Sequence, residues 1–173
     1  MKNAMLTVVS IISLVIFFNV SKGSANEDVS ALIKQASEEL MRSGGIGNFV
    51  AADYVGLENI DKYSVSGKVR EHVGNALKSL KQAEKQSPDN LDVILLLGTS
   101  YARMQDEAET IKYFFKYVLM NGQNEIAYRT LIGLYYQNEE YRKAYEVMEK
   151  LAQINPNIKD TDDYQMLRQK VSE

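Results

Sequence analysis

Laid over itself at a shift of 34 residues, the sequence repeats its apolar pattern, and this constrains the fold more than any other feature. Residues Tyr128, Leu131, Ile132, Tyr135, Tyr141, Ala144, Met148, Leu151 and Pro156 form one unit. Thirty-four positions earlier stand Ile94, Leu97, Gly98, Tyr101, Thr110, Phe114 and Tyr117, with Gly122 in place of the proline. A further 34 back come Ala76, Leu80, Ala83 and Pro88. A fixed period of this length marks a helix-turn-helix unit that buries its apolar face only by stacking on a neighbour.

These spacings resemble the tetratricopeptide repeat pattern, W-x2-L-G-x2-Y followed by A-x3-F and P, from about residue 57 to 156. The resemblance implies an all-α solenoid with two clear repeats, at 91–124 and 125–158, and a degenerate one at 57–90. A helical segment and loop at 26–56 and a capping helix at 159–173 would cover the open ends. Each position has a steric reason. Gly98, Ala76, Ala83 and Ala144 let two helices approach where they cross, and Leu97, Tyr101, Phe114, Leu131, Tyr135, Met148 and Leu151 fill the space around them. The pattern departs from the family's at Ile132, at Thr110 and in the first helix of unit one, near Leu57 to Arg70.

Helical periodicity agrees with this division. It predicts a helix from Glu27 to Met41 stopped by Ser43-Gly44-Gly45, a short helix near 48–58, and a helix from Val69 to Ser87-Pro88. Two pairs follow, at 90–103 with 107–120 and at 125–137 with 140–154, joined by connections too short for anything but antiparallel neighbours. Thr161 is the expected N-cap of a last helix carrying Tyr164, Leu167 and Val171 on one face.

Residues 1–25 have the layout of a secretory signal peptide: Lys2, an apolar stretch from Val8 to Phe18, then Gly23, Ser24 and Ala25. Cleavage after Ala25 would leave 148 residues with a net charge of −5, since Lys2 and Lys22 depart with the peptide. The alternative is an uncleaved anchor, because residues 3–21 form an uncharged run of 19 and about 18 suffice for a spanning helix. Either way the remainder is expected outside the cytoplasm, as a periplasmic or secreted protein or one anchored in the inner membrane.

The composition points away from catalysis. There is no Cys, which removes thiol nucleophiles, thiolate metal sites, disulfides and a lipidated cysteine, and the one His leaves no partner for an acid–base relay or a zinc site. A formal charge of −3 disfavours a basic nucleic-acid face. Ser43-Gly44-Gly45-Ile46-Gly47 lacks the Lys-Ser/Thr of a phosphate loop, and Asp160, Asp162 and Asp163 lack the Gly and Glu of a calcium loop. A helix N-terminus accounts for those acids, and His72 reads as a surface residue. No catalytic, cofactor or metal residues are assigned.

In the family, the first helices of successive repeats line a concave groove in which a partner peptide or helix lies. Projected here, the groove takes Asp92, Leu95, Thr99, Ala102 and Arg103 from one unit, and Ile126, Arg129, Gly133, Tyr136 and Gln137 from the next. The candidate partner-binding residues are Leu95, Thr99, Arg103, Arg129, Gly133 and Tyr136. The Lys/Asn clamp by which some relatives grip a peptide carboxylate is not supported, since Leu95, Thr99 and Thr130 hold those positions. Eight of eleven tyrosines fall between Tyr101 and Tyr145; Tyr136 alone among them is set toward the groove, whereas Tyr101, Tyr117, Tyr128, Tyr135, Tyr141 and Tyr145 occupy packing positions. The expected function is a non-enzymatic adaptor of the cell envelope. The alternative is a signal-anchored subunit of a larger envelope or secretion complex.

Overall fold

A computed structural model describes residues 28–43 and 66–173. The segments proposed as signal peptide or anchor, and the short helix near 48–58, lie outside the described residues. Seven α-helices run through the described part: α1 (28–42), α2 (Gly67–Gln86), α3 (Leu91–Arg103), α4 (Glu107–Leu119), α5 (Glu125–Gln137), α6 (Tyr141–Ile154) and α7 (Asp162–Ser172). A short 3-10 turn, Pro156–Asp160, precedes α7, and no strand occurs among these residues.

The 34-residue register is written into the backbone. Helices α3 and α5 begin 34 residues apart, as do α4 and α6, and Asn90 and Asn124 cap α3 and α5 with their side chains. Both pairs turn through a left-handed residue, Gln105 at φ 58° and Glu139 at φ 59°. The N–H groups of Gln105 and Asp106 bond the carbonyls of Ala102 and Tyr101, and those of Glu139 and Glu140 bond Tyr136 and Tyr135. This closure satisfies the last carbonyls of each helix and reverses the chain within three residues.

Each helix packs on its sequence neighbour, and α3 also meets α5. The odd-numbered helices form one layer. Arg103 of α3 bonds Leu40 of α1, and the Tyr136 hydroxyl of α5 lies 3.7 Å from Met166 Sδ of α7. The even-numbered helices form the other, where Tyr113 of α4 donates to Glu84 of α2 at 3.0 Å.

The first unit differs from the expected one. Residues 57–65 lie outside the described residues, Lys68 to Arg70 belong to α2, and the described helix that precedes α2 and packs on it is α1. Gln86 donates to Asp28 at one end of that pair, and His72 Nδ1 lies 2.7 Å from Glu39 Oε2 at the other, so the helices run antiparallel. Val29, Leu32, Ile33 and Ala36 of α1 repeat the spacing of Ile94, Leu97, Gly98 and Tyr101 in α3. From Ala36 to Ala76 is 40 positions, against nine from Tyr101 to Thr110, so 31 residues are inserted inside the first helix pair. That insertion breaks the period and hides the first helix from a 34-residue comparison.

The core runs the length of the stack through Leu40, Leu80, Ile94, Leu97, Phe114, Leu131, Leu151 and Leu167. Burying each such side chain contributes roughly 1.5–3 kcal/mol. Small residues stand at the crossings as expected: Gly98, Ala76, Ala83 and Ala144 are all buried. Thr110, in a crossing-Ala position, is buried too, and it satisfies its hydroxyl on the Asp106 carbonyl at 2.6 Å.

Candidate functional site

The outer side of the odd-helix layer is the face on which a partner was expected, and its residues divide into two kinds. Arg129 of α5 is exposed and holds an i,i+4 ion pair with Glu125, with Nε 2.8 Å from Oε1. Leu95 of α3 is half-buried, and Asp92 and Gln137 are exposed beside these helices' ends. These groups remain accessible. Thr99 and Gly133 are buried, and Thr99 donates its hydroxyl to the Leu95 carbonyl at 2.9 Å.

Two of the expected contact residues have structural employment instead. Arg103 is 4% exposed, and its guanidinium donates to the Leu40 carbonyl at 2.9 Å and to the Ser43 hydroxyl. The last carbonyls of a helix have no partner within it; here Leu40 accepts from the Ser43 hydroxyl as well as from Arg103, and the buried cation also meets the negative end of the helix dipole. Burial pushes the Arg103 pKa down, against a starting value so high that the group stays charged. Tyr136 is half-buried, edge-on to Tyr141 with ring centroids 5.3 Å apart and its hydroxyl on Met166. Arg103 and Tyr136 therefore join odd helices to one another.

His72, read as a surface residue, is half-buried and fastens α2 to α1. Its hydrogen bond, ahead of the charge of Arg42, holds the Glu39 carboxyl below the usual range. Among the described residues no group of three or more His, Asp or Glu side chains is gathered for a metal ion.

The even-helix layer carries a second polar assembly, which the repeat comparison did not single out. Tyr101 stacks on Tyr113 at 5.6 Å, and Lys81 Nζ sits 4.7 Å from the Tyr113 centroid and 3.1 Å from Glu84. Burial would lower the Lys81 pKa, but hydrogen bonds to Tyr113 and Glu84 outweigh it and drive the value up. Burial likewise raises the Tyr113 pKa, so the phenol stays protonated and donates to Glu84. At the far end Tyr164 donates to Glu149, which holds that carboxyl down. The first assembly ties α4 to α2 and the second ties α7 to α6, each through a tyrosine hydroxyl.

Phe115 and Leu119 on α4 are large apolar side chains left exposed, and sequence reasoning passed over them. A signal was present: Tyr113, Phe114 and Phe115 are consecutive, and one side of a helix cannot bury three residues in a row.

Among the described residues no helix is long and apolar enough to cross a membrane. No protein-family model matches this chain, and no curated protein matches its sequence.

Proposed function

We propose that the chain is a non-enzymatic adaptor of the cell envelope, a tetratricopeptide-like stack that holds a partner peptide or helix against its odd-helix layer. One observation carries this reading: α3 and α5 are neighbours in that layer, and each leaves a side chain suited to an interface accessible, Leu95 and Arg129. Arginine combines a planar charged fork with an apolar stem, and such residues dominate interface energies. The repeated register supports the same reading, since stacked helix pairs offer a long continuous surface. The signal-like layout of residues 1–25 supports a location outside the cytoplasm.

The experiment is affinity capture from envelope extract, with wild type and Leu95→Glu/Arg129→Glu as baits. The variant should lose the partner while keeping its denaturant midpoint. Equal capture by both would remove the odd-helix layer as the binding face.

The uncharged run at residues 3–21 supports a second reading, a membrane-anchored subunit whose helix pairs serve as packing surface. Intact mass decides between them. A soluble chain beginning at Asn26 supports the first, and a full-length chain confined to the membrane supports the second.

A further inference from the structure

The solvent side of α4 differs from its counterparts in the same layer. Ala108, Phe115 and Leu119 align along it, with Phe115 43% and Leu119 57% exposed and half-buried Ile111 alongside. At the same register α2 has Gly74, Lys81 and Lys85, and α6 has Arg142, Glu149 and Gln153. Packing among the described residues thus gives no reason for large apolar groups there. Two neighbouring ones on a single helix face mark a contact surface.

The rim of this stripe indicates what covers it. Three lysines beside it already have a carboxylate: Lys112 with Glu109 at 2.8 Å, Lys116 with Asp89 at 3.1 Å and Lys81 with Glu84 at 3.1 Å. A charge-balanced rim around an apolar centre suits a protein surface and offers no surplus attraction for an anionic membrane. Along α4 the charge is polarised, with Asp106, Glu107 and Glu109 at the start and Lys112 and Lys116 farther on. A second α4 laid antiparallel across a two-fold axis meets each acidic half with a basic half. It also sets Ala108 against the second copy's Leu119, small against large, and Ile111 against its Phe115. The stripe is complementary to itself, as a two-fold contact requires.

We propose that two copies of this chain associate through α4, antiparallel about a two-fold axis near Lys112 and Tyr113, with Glu109 of each copy facing Lys116 of the other. Helix α4 has 13 residues, about 20 Å at 1.5 Å per residue. One helix pair of that length buries less than the roughly 1,600 Å² of a standard interface, and the two Lys112 side chains meet near the axis. The association is therefore reversible. It is independent of the odd-helix reading, which concerns the opposite layer.

The chain has no Cys, so introduced cysteines are the sole thiols in a crosslinking test. The full chain carrying Ala108→Cys and Leu119→Cys together is produced in cells and treated with a short bis-maleimide. A covalent dimer is expected from the double variant and from neither single variant, because like positions lie about 16 Å apart in the antiparallel pair. Adding Phe115→Glu should reduce the dimer on the order of tenfold. Glu109→Lys and Lys116→Glu should each weaken it, and the two combined should restore it. All these positions are accessible or partly so, and circular dichroism of each purified variant verifies that the helices are intact. The proposal is overturned by absence of the dimer, by equal dimer from a single variant, by indifference to Phe115→Glu, by failure of the charge exchange to restore it, or by a product whose mass is not that of two copies.

Discussion

The guanidinium of Arg103, at the end of α3, donates to the carbonyl oxygen of Leu40, in the last turn of α1, across 2.9 Å and 63 positions of sequence. This contact locks the first two odd-numbered helices together. It also explains why a residue facing the same way as Leu95 and Thr99 along α3 is not offered to a partner. The Leu40 carbonyl also accepts from the Ser43 hydroxyl at 2.7 Å, so the three groups form one buried network.

Replacing Arg103 by Leu should therefore cost about 1.5–3 kcal/mol, since it removes the buried hydrogen bonds of a charged group. The denaturant midpoint reads the loss. Hydrogen exchange should locate it, with the amides of α1 losing protection before those of α5 and α6. A midpoint equal to wild type would mean that α1 is held by its apolar face alone.

At the crossing of α3 and α4, a Cβ added at Gly98 would intrude on the ring of Phe114. Gly98→Ala should cost on the order of 1–3 kcal/mol, as should Ala144→Leu at the equivalent crossing of α5 and α6. Combining Gly98→Ala with Phe114→Leu should cost less than the sum of the two single changes, because the smaller side chain vacates the space that the methyl needs. Unfolding midpoints of the four chains in the cycle supply the test.

Thr130 is buried in α5, and its hydroxyl has no hydrogen-bond partner among the described residues. An orphaned buried hydroxyl destabilises a fold, and a methyl of the same shape does not. Thr130→Val should raise stability by about 1 kcal/mol, measured as a shift in thermal or denaturant midpoint.

The Glu39 carboxyl is held below its ordinary range by the His72 hydrogen bond. Its folded-state pKa is lower than its unfolded one, so its contribution is complete above the ordinary Glu value of about 4.3. That contribution disappears as pH falls through the folded value. Wild type should accordingly exceed Glu39→Gln in stability by a constant margin from pH 7 to pH 5, and the margin should close on further acidification. Paired titrations of the unfolding midpoint measure it, and a margin unchanged down to pH 3 would rule out Glu39 as the source.

The helices, α1 included, were legible in the sequence because the signals are local. Apolar residues recur at helical spacing, Thr161 caps the last helix, and Pro88 disfavours helix at Ser87. The 34-residue register then paired α3 with α4 and α5 with α6, since short turns leave no other arrangement. That register broke at the first pair, where the inserted residues separate α1 from α2; their pairing rests on contacts such as Glu39 with His72 that no local pattern announces.

The expected groove residues divide on the same ground. Position on a helix is set by sequence period, and it put Leu95, Arg103, Arg129 and Tyr136 on the odd helices. Whether such a side chain meets solvent depends on what packs across it. Helix α1 covers Arg103 and helix α7 covers Tyr136, whereas Arg129 stays open, paired among the described residues along its own helix with Glu125. By itself the sequence determined the helices, their order and the two regular pairs, because each follows from spacing and capping within a few turns. Tertiary structure alone decided which polar groups became struts and which apolar ones, Phe115 and Leu119, were left outside, because burial is a property of the neighbours that a side chain meets.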